Sequence, residues 1–525
     1  MAAVFLAAAL ADGDTLAHLA DTVLWRYTAT TLILVVLVGL GSFLIGASAA
    51  FLVVMTEFPG RRFLEIALVI PLAFPAYVLA YAYTHILDHP GIVQATLREV
   101  TGWGPRDYWF PEIRSTGGAA AMLTIVLYPY VYLLTRAALL SQRSSYLSAA
   151  RSLGRAPLGA VLSIYLPLVR PAIAAGILLA TMETLADFGT VAYFGVQTFA
   201  TGIYTSWISL ADRGAAAQLA LGLLSFALLL ALLERWSRRS ARYHTGPQSD
   251  TLPRFELTGR WRWAAVGFLS LPLLLGVVIP VISLWNMALI SEQDLLSRRY
   301  IGFIQNSLIL ASVAALVTVS AAITLGSLAR FQPGRLSLGA IYAGRIGYAV
   351  PGGVIAVGLM VPFAAFDNAL DAWMRETFDV STGLLITGSI WLLVGAYMVR
   401  FLAAALGSYE GGIATVSGNM DAAARVLGQS SGGVVRRIHL PLVGPSLLTA
   451  FLIVFVDVMK ELPATLIMRP FNFDTLAVQA HRLASDERLE GAAVPSLVIV
   501  AIGLLPVIIL IRRMSRVTTQ TEAPA

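Results

Sequence analysis

The chain has 525 residues, of which 58% are hydrophobic and only 13% are charged, and its formal net charge is +6. Soluble domains carry about a quarter charged residues, so this composition excludes an ordinary soluble protein and predicts a polytopic membrane protein. The sequence contains no cysteine, which excludes disulfides and cysteine-ligated metal sites within the chain.

The first residues, MAAVFLAAALADGD, contain a short apolar run with acidic residues directly after it. No basic region precedes the run, so the segment makes a poor signal peptide. It is either the remainder of a shortened first span or an interfacial tail.

Long apolar segments recur along the rest of the chain. Each is close to the roughly 20 residues that a helix needs to cross a bilayer, and the alternation typical of a membrane β-barrel is absent. The predicted fold is all-α, with two tandem homologous helical-bundle domains and 11 or 12 transmembrane helices. The eleven predicted spans are residues 29–54, 63–87, 119–140, 167–190, 215–235, 263–290, 304–329, 338–365, 383–406, 442–467 and 493–511.

Arginine sets the predicted orientation, because Lys460 is the only lysine. Positively charged loops stay in the cytoplasm, so the segments that carry Arg151, Arg400 and Arg437 are predicted to lie inside. The acid-rich loops and the N-terminus then lie outside. No basic run is interleaved with stacking aromatic residues, so nucleic-acid binding is not expected.

The domain prediction follows from this order of spans. Residues 1–236 form a first transmembrane domain and residues 261–516 form a second. The basic, proline-containing stretch 237–260 reads as a cytoplasmic linker, and residues 517–525 form a C-terminal tail.

Two polar segments repeat one pattern at an offset of 274 residues. Residues 149–173 read AARSLGRAPLGAVLSIYLPLVRPAI and residues 423–447 read AARVLGQSSGGVVRRIHLPLVGPSL, with 13 of 25 positions identical. Each copy has a helix former, a glycine suited to a left-handed helix end, and a Leu-Pro pair that opens the next span. The pattern predicts a helix–turn–helix along the inner membrane face, although a single copy would also fit an amphipathic connector.

These segments resemble the cytoplasmic EAA loops of type I ABC-importer permeases. The resemblance implies that the loops, about residues 141–167 and 407–441, couple the permease to a dimer of cytoplasmic ATPase subunits. The glutamate that leads the family motif is replaced by Ser148 in the first copy and by Ala422 in the second, where Asp421 is adjacent. The residues predicted to couple are Ala149, Ala150, Arg151, Gly154, Leu166 and Pro167 in the first loop, and Asp421, Ala423, Ala424, Arg425, Gly428, Leu440 and Pro441 in the second.

The ATPase is predicted to be a separate chain. A phosphate-binding loop needs the pattern G-x-x-x-x-G-K-[ST], whereas the only lysine here lies in DVMKEL. The chain is therefore expected to bind no cofactor itself, and ATP and Mg are expected on the partner subunits. No nucleophile–base constellation indicates an enzyme.

Two carboxylate pairs continue the repeat. Glu183 and Asp187 correspond at the same offset to Asp457 and Glu461, and a spacing of four predicts that both members project from one helix face. Charges at membrane depth usually face a cavity or a partner. One interpretation is a cation-attracting rim of the translocation path, and the other is structural pairing where the helices break. Lys460 favours pairing in the second half.

Aromatic and histidine residues give weaker signals. Tyr77, Tyr81 and Tyr130 are candidates to line the path, but such tyrosines more often pack or anchor at the interface. His85 and His89 are weak metal candidates, and no metal site is assigned.

Three further stretches, METLADFGTVAYFGVQTFATGIY, LPLVRPAIAAG and YPYVYLLTRAAL, are similar to the fused permease of bacterial ferric-iron ABC importers. The resemblance implies a multi-pass inner-membrane protein that imports Fe³⁺ delivered by a periplasmic iron-binding protein. Related permeases import thiamine, phosphonates or polyamines, so these substrates stay open. A different class, an ion-gradient-driven transporter with the acidic pairs as ion sites, would have no reason to duplicate the cytoplasmic loop.

Overall fold

The computed structural model describes residues 2–9, 13–142, 159, 161–239, 254–294 and 297–522. These residues are mostly helical, as the all-α prediction expects. The α-helices are Ala2–Ala9, Gly13–Leu19, Trp25–Met55, Arg61–Ala67, Ala76–Leu87, Ile92–Thr101, Thr116–Leu140, Leu166–Ala186, Gly189–Tyr193, Phe199–Tyr204, Arg213–Arg239, Arg260–Leu273, Ile279–Ile290, Arg298–Phe331, Arg335–Ile346, Gly352–Phe378, Ile390–Ile413, Gly418–Val426, Ser431–Val434, Leu440–Met459, Pro463–Met468, Leu476–Ser485 and Leu489–Glu522. Short 3₁₀ or π turns are Ala20–Leu24, Ile70–Ala73, Val161–Tyr165, Thr205–Ser209, Leu274–Val278, Gly347–Ala349 and Val435–His439.

Ten helical stretches in the described part of the chain are long and apolar enough to cross a membrane. They are Ala17–Met55, Thr116–Leu140, Ser163–Ala186, Arg213–Leu233, Arg260–Ile290, Arg298–Phe331, Gly352–Phe378, Ile390–Ile413, Ser431–Met459 and Leu489–Ile508. A bent pair, Arg61–Ala73 with Ala76–Thr101, gives an eleventh if it is one span. When the bent pair is counted as one span, the total of eleven confirms the predicted number of spans.

Two predicted spans are interrupted. The segment 63–87 bends by 94° between Ala73 and Ala76, and the segment 338–365 breaks between Ala349 and Gly352. Each break contains a proline, Pro75 or Pro351, that has no backbone N–H to donate and pushes the preceding residue out of the helical region. Both predicted spans are therefore broken helices in the structure.

The chain forms two compact units. One consists of residues 1–22, 202–225 and 293–482, and the other of residues 23–201, 226–292 and 483–525. Each unit thus takes segments from both halves of the sequence.

The repeat seen in the sequence recurs in the element boundaries. Helices begin at Thr116 and Ile390, at Leu166 and Leu440, and at Gly189 and Pro463, and each pair is 274 residues apart. The π turns Val161–Tyr165 and Val435–His439 keep the same offset. The two copies therefore share local structure well beyond the loops.

Close helix packing in each unit depends on small residues, as is usual in membranes. A Cβ added at Gly46 would lie 2.7 Å from the carbonyl oxygen of Tyr128, so the helices Trp25–Met55 and Thr116–Leu140 approach closely there. In the other unit, a Cβ at Gly412 would lie 2.5 Å from Val443 Cγ1. The membrane helices are thus held by backbone proximity as well as by apolar side chains.

The end of the predicted linker is ordered against the first half. Phe255–Glu256 pairs in parallel with Thr56–Glu57, and Leu257 N–H donates to the Glu57 carbonyl at 3.1 Å. Residues 240–253, the centre of that linker, lie outside the described residues.

Candidate functional site

The second loop has the helix–turn–helix form that the sequence predicts. The helix of the second loop, Gly418–Val426 (the loop helix), is followed by Leu427 and then by Gly428, whose φ of +79° is left-handed. The Gln429 N–H donates to the Ala424 carbonyl at 3.0 Å and the Gly428 N–H to the Arg425 carbonyl at 2.9 Å, closing the helix end. A short helix, Ser431–Val434, and a π turn then lead to Leu440 and Pro441 at the start of the next long helix.

Apolar side chains project from this turn. Val426 is 88% exposed and Leu427 is 80% exposed, while Met420 on the same short helix is 46% exposed. Ala423 and Arg425 are exposed as well, but Ala424 is buried. The loop therefore presents an exposed apolar tip (Val426 and Leu427) that no other described residue covers.

Asp421 points away from that tip, into the protein. Its Oδ2 accepts a hydrogen bond from Arg330 Nε at 2.7 Å, and its Oδ1 lies 2.8 Å from His439 Nε2. The imidazole of His439 is fully buried and stacks on Phe331, with ring centroids 5.4 Å apart and planes 2° apart. We call these four residues, Arg330, Phe331, Asp421 and His439, the loop anchor.

The anchor keeps the Asp421 carboxylate charged. Burial alone would raise the pKa of Asp421, but the hydrogen bonds from His439 and Arg330 outweigh burial and lower the pKa below its usual value. Asp421 also lies in the first turn of its helix, where a negative charge is favourable.

The structure describes only part of the first loop. Ala149, Ala150, Arg151 and Gly154 lie outside the described residues. Leu166 and Pro167 open the helix Leu166–Ala186, directly after a π turn, just as Leu440 and Pro441 do in the second copy.

The carboxylates Asp187 and Glu461 have equivalent positions in their halves. Asp187 accepts hydrogen bonds from Thr190 N, Thr190 Oγ1 and Val191 N at 3.0–3.2 Å. Glu461 accepts from Ala464 N, Thr465 N and Thr465 Oγ1 at 2.8–3.1 Å. Each carboxylate thus satisfies the free N–H groups at the start of the next short helix.

This capping corrects the prediction that each pair projects from one helix face. The long helices end at Ala186 and Met459, so Asp187 and Glu461 lie just past the helix end. Asp187 has extended backbone, with φ −68° and ψ 129°. The backbone leaves the helix here, and both side chains turn toward the following N–H groups.

The two halves differ in how these charges are neutralised. Asp457 Oδ1 lies 2.9 Å from Lys460 Nζ, and Glu461 Oε1 lies 3.1 Å from Arg400 Nη1. Tyr397 Oη also donates to Glu461, at 3.3 Å. Each of these two second-half acids is therefore paired with a basic side chain, which is the structural pairing that the presence of Lys460 favoured.

The first half has no such partners. The residues that align with Lys460 and Arg400 at the 274-residue offset are Ala186 and Val126. Within the part of the chain that the structure describes, neither Glu183 nor Asp187 forms an ion pair. Both side chains are half-buried, so the first half retains two uncompensated carboxylates.

Sequence reasoning missed Arg330, His439 and Arg400 as site residues. Arg400 was used as a cytoplasmic marker, but it lies within the helix Ile390–Ile413 with its side chain only 12% exposed. An arginine inside a predicted span was the available signal, because such a charge needs a partner.

The three tyrosines behave mainly as packing residues. Tyr81 is fully buried and forms an edge contact with Tyr193, with centroids 4.8 Å apart. Tyr77 packs against Gly189, where an added Cβ would lie 2.8 Å from its ring, and Tyr130 is half-buried. Among the described residues, no group of three or more His, Asp or Glu side chains is arranged to hold a metal ion, and this includes the surroundings of His85.

Comparison with known proteins agrees with this architecture. Residues 8–243 match the family described as "Binding-protein-dependent transport system inner membrane component". The chain is 27% identical over 494 residues to the "Fe(3+)-transport system permease protein FbpB 2" of Haemophilus influenzae, an alignment that covers 92% of this chain and 88% of that protein.

Two further relatives differ in how much of the chain they match. The "Probable ABC transporter permease protein y4fN" of Sinorhizobium fredii is 28% identical over 557 residues, covering 98% of this chain and 92% of that protein. The "Molybdenum transport system permease protein ModB" of Escherichia coli is 27% identical over 207 residues, covering 38% of this chain and 87% of that protein. The long relatives thus match both halves, and the short one matches a length close to one half.

These relatives are transport components rather than enzymes. The repeated loop, the helix boundaries at one offset, the membrane-spanning helices and the family match all lead to the same identification. The chain is a multi-pass inner-membrane permease, and its residues 8–243 match the family of binding-protein-dependent transport system inner membrane components.

Proposed function

We propose that this chain is the permease subunit of an ABC importer that moves Fe³⁺ across the inner membrane. The observation that carries the proposal is the similarity to an Fe(3+)-transport permease over 92% of the chain. A periplasmic iron-binding protein delivers the substrate, and a dimer of separate cytoplasmic ATPase subunits binds ATP and Mg and drives the cycle.

The second loop supports docking of the ATPase. Val426 and Leu427 form an exposed apolar tip at a sharp turn, and such exposed side chains gain free energy when a partner covers them. Ala423 and Arg425 flank the tip, where a small residue permits close approach and a guanidinium offers donors. The first loop, with Ala149, Ala150, Arg151 and Gly154, acts in the same way on the second ATPase subunit.

The first-half carboxylates support a cation as the substrate. Glu183 lies 16 residues past Pro167, which is about 24 Å along a helix and therefore deep in or near the far side of the bilayer. Carboxylate oxygens suit hard cations such as Fe³⁺. Because Asp457 and Glu461 are already paired with Lys460 and Arg400, we assign the contact with the passing ion to Glu183 and Asp187.

The proposal is tested by uptake of ⁵⁵Fe³⁺ into proteoliposomes that contain this chain together with its cognate ATPase and iron-binding protein. ATP-dependent uptake is expected, together with co-purification of the ATPase. Equal uptake without ATP would contradict the ABC assignment. ATP-driven uptake of molybdate or an organic solute, without iron uptake, would contradict the substrate.

Replacing Glu183 tests the assigned substrate contact. Glu183→Gln is expected to lower iron uptake about tenfold, equivalent to about 1.4 kcal/mol, because it removes an unpaired charge from the path. Co-purification of the ATPase should not change. The matched control is Asp457→Asn at the equivalent position of the second half, which should keep uptake within twofold because Lys460 already neutralises Asp457. Equal effects of the two variants would contradict the assignment.

A further inference from the structure

The loop anchor joins the loop helix to three candidate spans. Arg330 is the penultimate residue of the helix Arg298–Phe331, and besides binding Asp421 it donates to the Ile413 carbonyl at 3.2 Å and to the Val416 carbonyl at 2.9 Å. One guanidinium therefore links the end of its own helix, the end of the helix Ile390–Ile413 and the loop helix.

His439 adds the third span. It closes the π turn that continues into Leu440–Met459, and its imidazole contacts Asp421 through Nε2 and Phe331 through its face. The guanidinium of Arg425 lies 5.1 Å from the Phe331 ring centroid, which adds a second contact between the loop helix and Arg298–Phe331. The loop helix is therefore connected through Arg330, Phe331 and His439 to all three long helices.

We infer that the loop anchor is the positioning unit that transmits movement of the loop helix to the membrane helices. This inference rests on the proposed function, because it concerns the step between ATPase docking and opening of the permease. The anchor lies behind the exposed tip, with the Asp421 side chain 13% exposed and the Arg330 side chain 22% exposed. Docking is thus assigned to the exposed tip of Val426 and Leu427, and transmission to the four anchor residues behind it.

The anchor residues are not repeated at the equivalent sequence positions of the first half. At the 274-residue offset, Arg330, Phe331, Asp421 and His439 align with Thr56, Glu57, Leu147 and Tyr165. None of these four can reproduce the guanidinium–carboxylate–imidazole contact. Changes in the anchor are therefore expected to disable one of two levers and to leave the other intact.

The test uses the complete importer in proteoliposomes, with ⁵⁵Fe³⁺ and its binding protein as the probe, and measures uptake per ATP hydrolysed. Asp421→Asn removes the charge and keeps the shape of the side chain. The ratio of uptake to hydrolysis is expected to fall by at least about fivefold, the lower end of typical coupling between sites. Co-purification of the ATPase should stay within twofold, because the apolar tip is unchanged. Asp421→Glu, which keeps the charge, should recover part of the ratio.

A matched control removes an ion pair of similar length and exposure elsewhere. Asp474 binds Arg469 at 2.6 Å, with side chains 16% and 30% exposed, so Asp474→Asn should leave the ratio unchanged. If Asp421→Asn does not accumulate in the membrane, Phe331→Leu removes the ring contacts with His439 and Arg425, leaves the Asp421–Arg330 ion pair in place, and should lower the ratio in the same direction.

Three outcomes are decisive. A normal ratio in both Asp421→Asn and Phe331→Leu overturns the inference and leaves the proposed function standing. Loss of ATPase co-purification in Asp421→Asn also overturns it, because the anchor would then shape the docking surface. A wild-type complex that lacks an ATPase or takes up no iron overturns the proposed function itself.

Discussion

Gly428 occupies a backbone conformation that most residues avoid. Its φ is +79°, and an added Cβ would meet no atom within 4 Å. Crowding is therefore not the reason for a glycine here. The left-handed backbone is the reason, because it costs a residue with a Cβ about 1–2 kcal/mol. This conformation turns the chain between the helix that ends at Val426 and the helix that begins at Ser431.

We expect Gly428→Val to uncouple ATP hydrolysis from uptake while the membrane helices insert normally. A β-branched residue opposes the left-handed turn, so the apolar tip and the loop helix would change direction. The measurement is uptake per ATP hydrolysed in proteoliposomes.

The control for this variant is Gly432→Val, because Gly432 is helical and also has open space around its Cβ position. Gly428→Asn should be tolerated, since asparagine adopts the left-handed region more readily. Normal coupling in Gly428→Val would show that the turn does not determine the loop's activity.

At the scale of the elements, helix packing follows the distribution of small residues. Gly46 places the helix Trp25–Met55 against the backbone of Tyr128, and Gly176 places Leu166–Ala186 against the backbone of Val131, where an added Cβ would lie 2.6 Å from its Cα. Backbone atoms cannot rotate away as a side chain can. These contacts therefore fix the distance between helices.

Gly46→Ala is expected to lower the thermal stability of the detergent-purified protein. The added methyl would lie 2.7–2.9 Å from Tyr128 O, Val131 Cβ and Tyr132 N, and overpacking of this kind costs about 1–3 kcal/mol. Gly302→Ala is the comparison, because nothing lies within 4 Å of that position and an effect below about 0.5 kcal/mol is expected. Equal melting temperatures for both variants would disprove a tight contact at Gly46.

Sequence patterns predicted the elements better than their ends. Apolar length and the repeated Leu-Pro pair placed most long helices, because those signals are local. The helix ends at Ala186 and Met459 were missed. Asp187 and Glu461 accept hydrogen bonds from the backbone N–H groups of the next short helix, and these contacts depend on the conformation of the turn between the two helices. The partners of Asp421 and Glu461 were also missed, because Arg330 and Arg400 lie 91 and 61 residues away in the chain.

At the scale of the whole molecule, the repeat makes a prediction about sidedness. Six predicted spans, from 167–190 to 383–406, separate the two loops. An even number of spans places both loops on the same face of the membrane. The described loop residue Ser430 is exposed, and Thr101 in the segment before the helix Thr116–Leu140 is exposed as well. The orientation can therefore be measured directly.

Single cysteines at Ser148, Ser430 and Thr101 can be labelled without further changes, because the chain has no cysteine of its own. We expect a membrane-impermeant maleimide to reach Ser148→Cys and Ser430→Cys only from the cytoplasmic side, and Thr101→Cys only from the periplasmic side. Labelling after detergent permeabilisation controls for reactivity. If the two loop positions react from opposite sides, one ATPase dimer cannot drive both loops.

The counterions of the second half show how far the two copies of the repeat have diverged. Lys460 and Arg400 pair with the acids of one copy, whereas Glu183 and Asp187 of the other copy have no ion-pair partner among the described residues. The two copies are therefore not equivalent in charge: at these positions in the described part of the chain, the first copy carries two acids without a basic partner, and the second carries two acids that are each offset by one. Exchanging one copy for the other would change the local charge of the membrane segment, so a repeat in sequence is not a repeat in electrostatics.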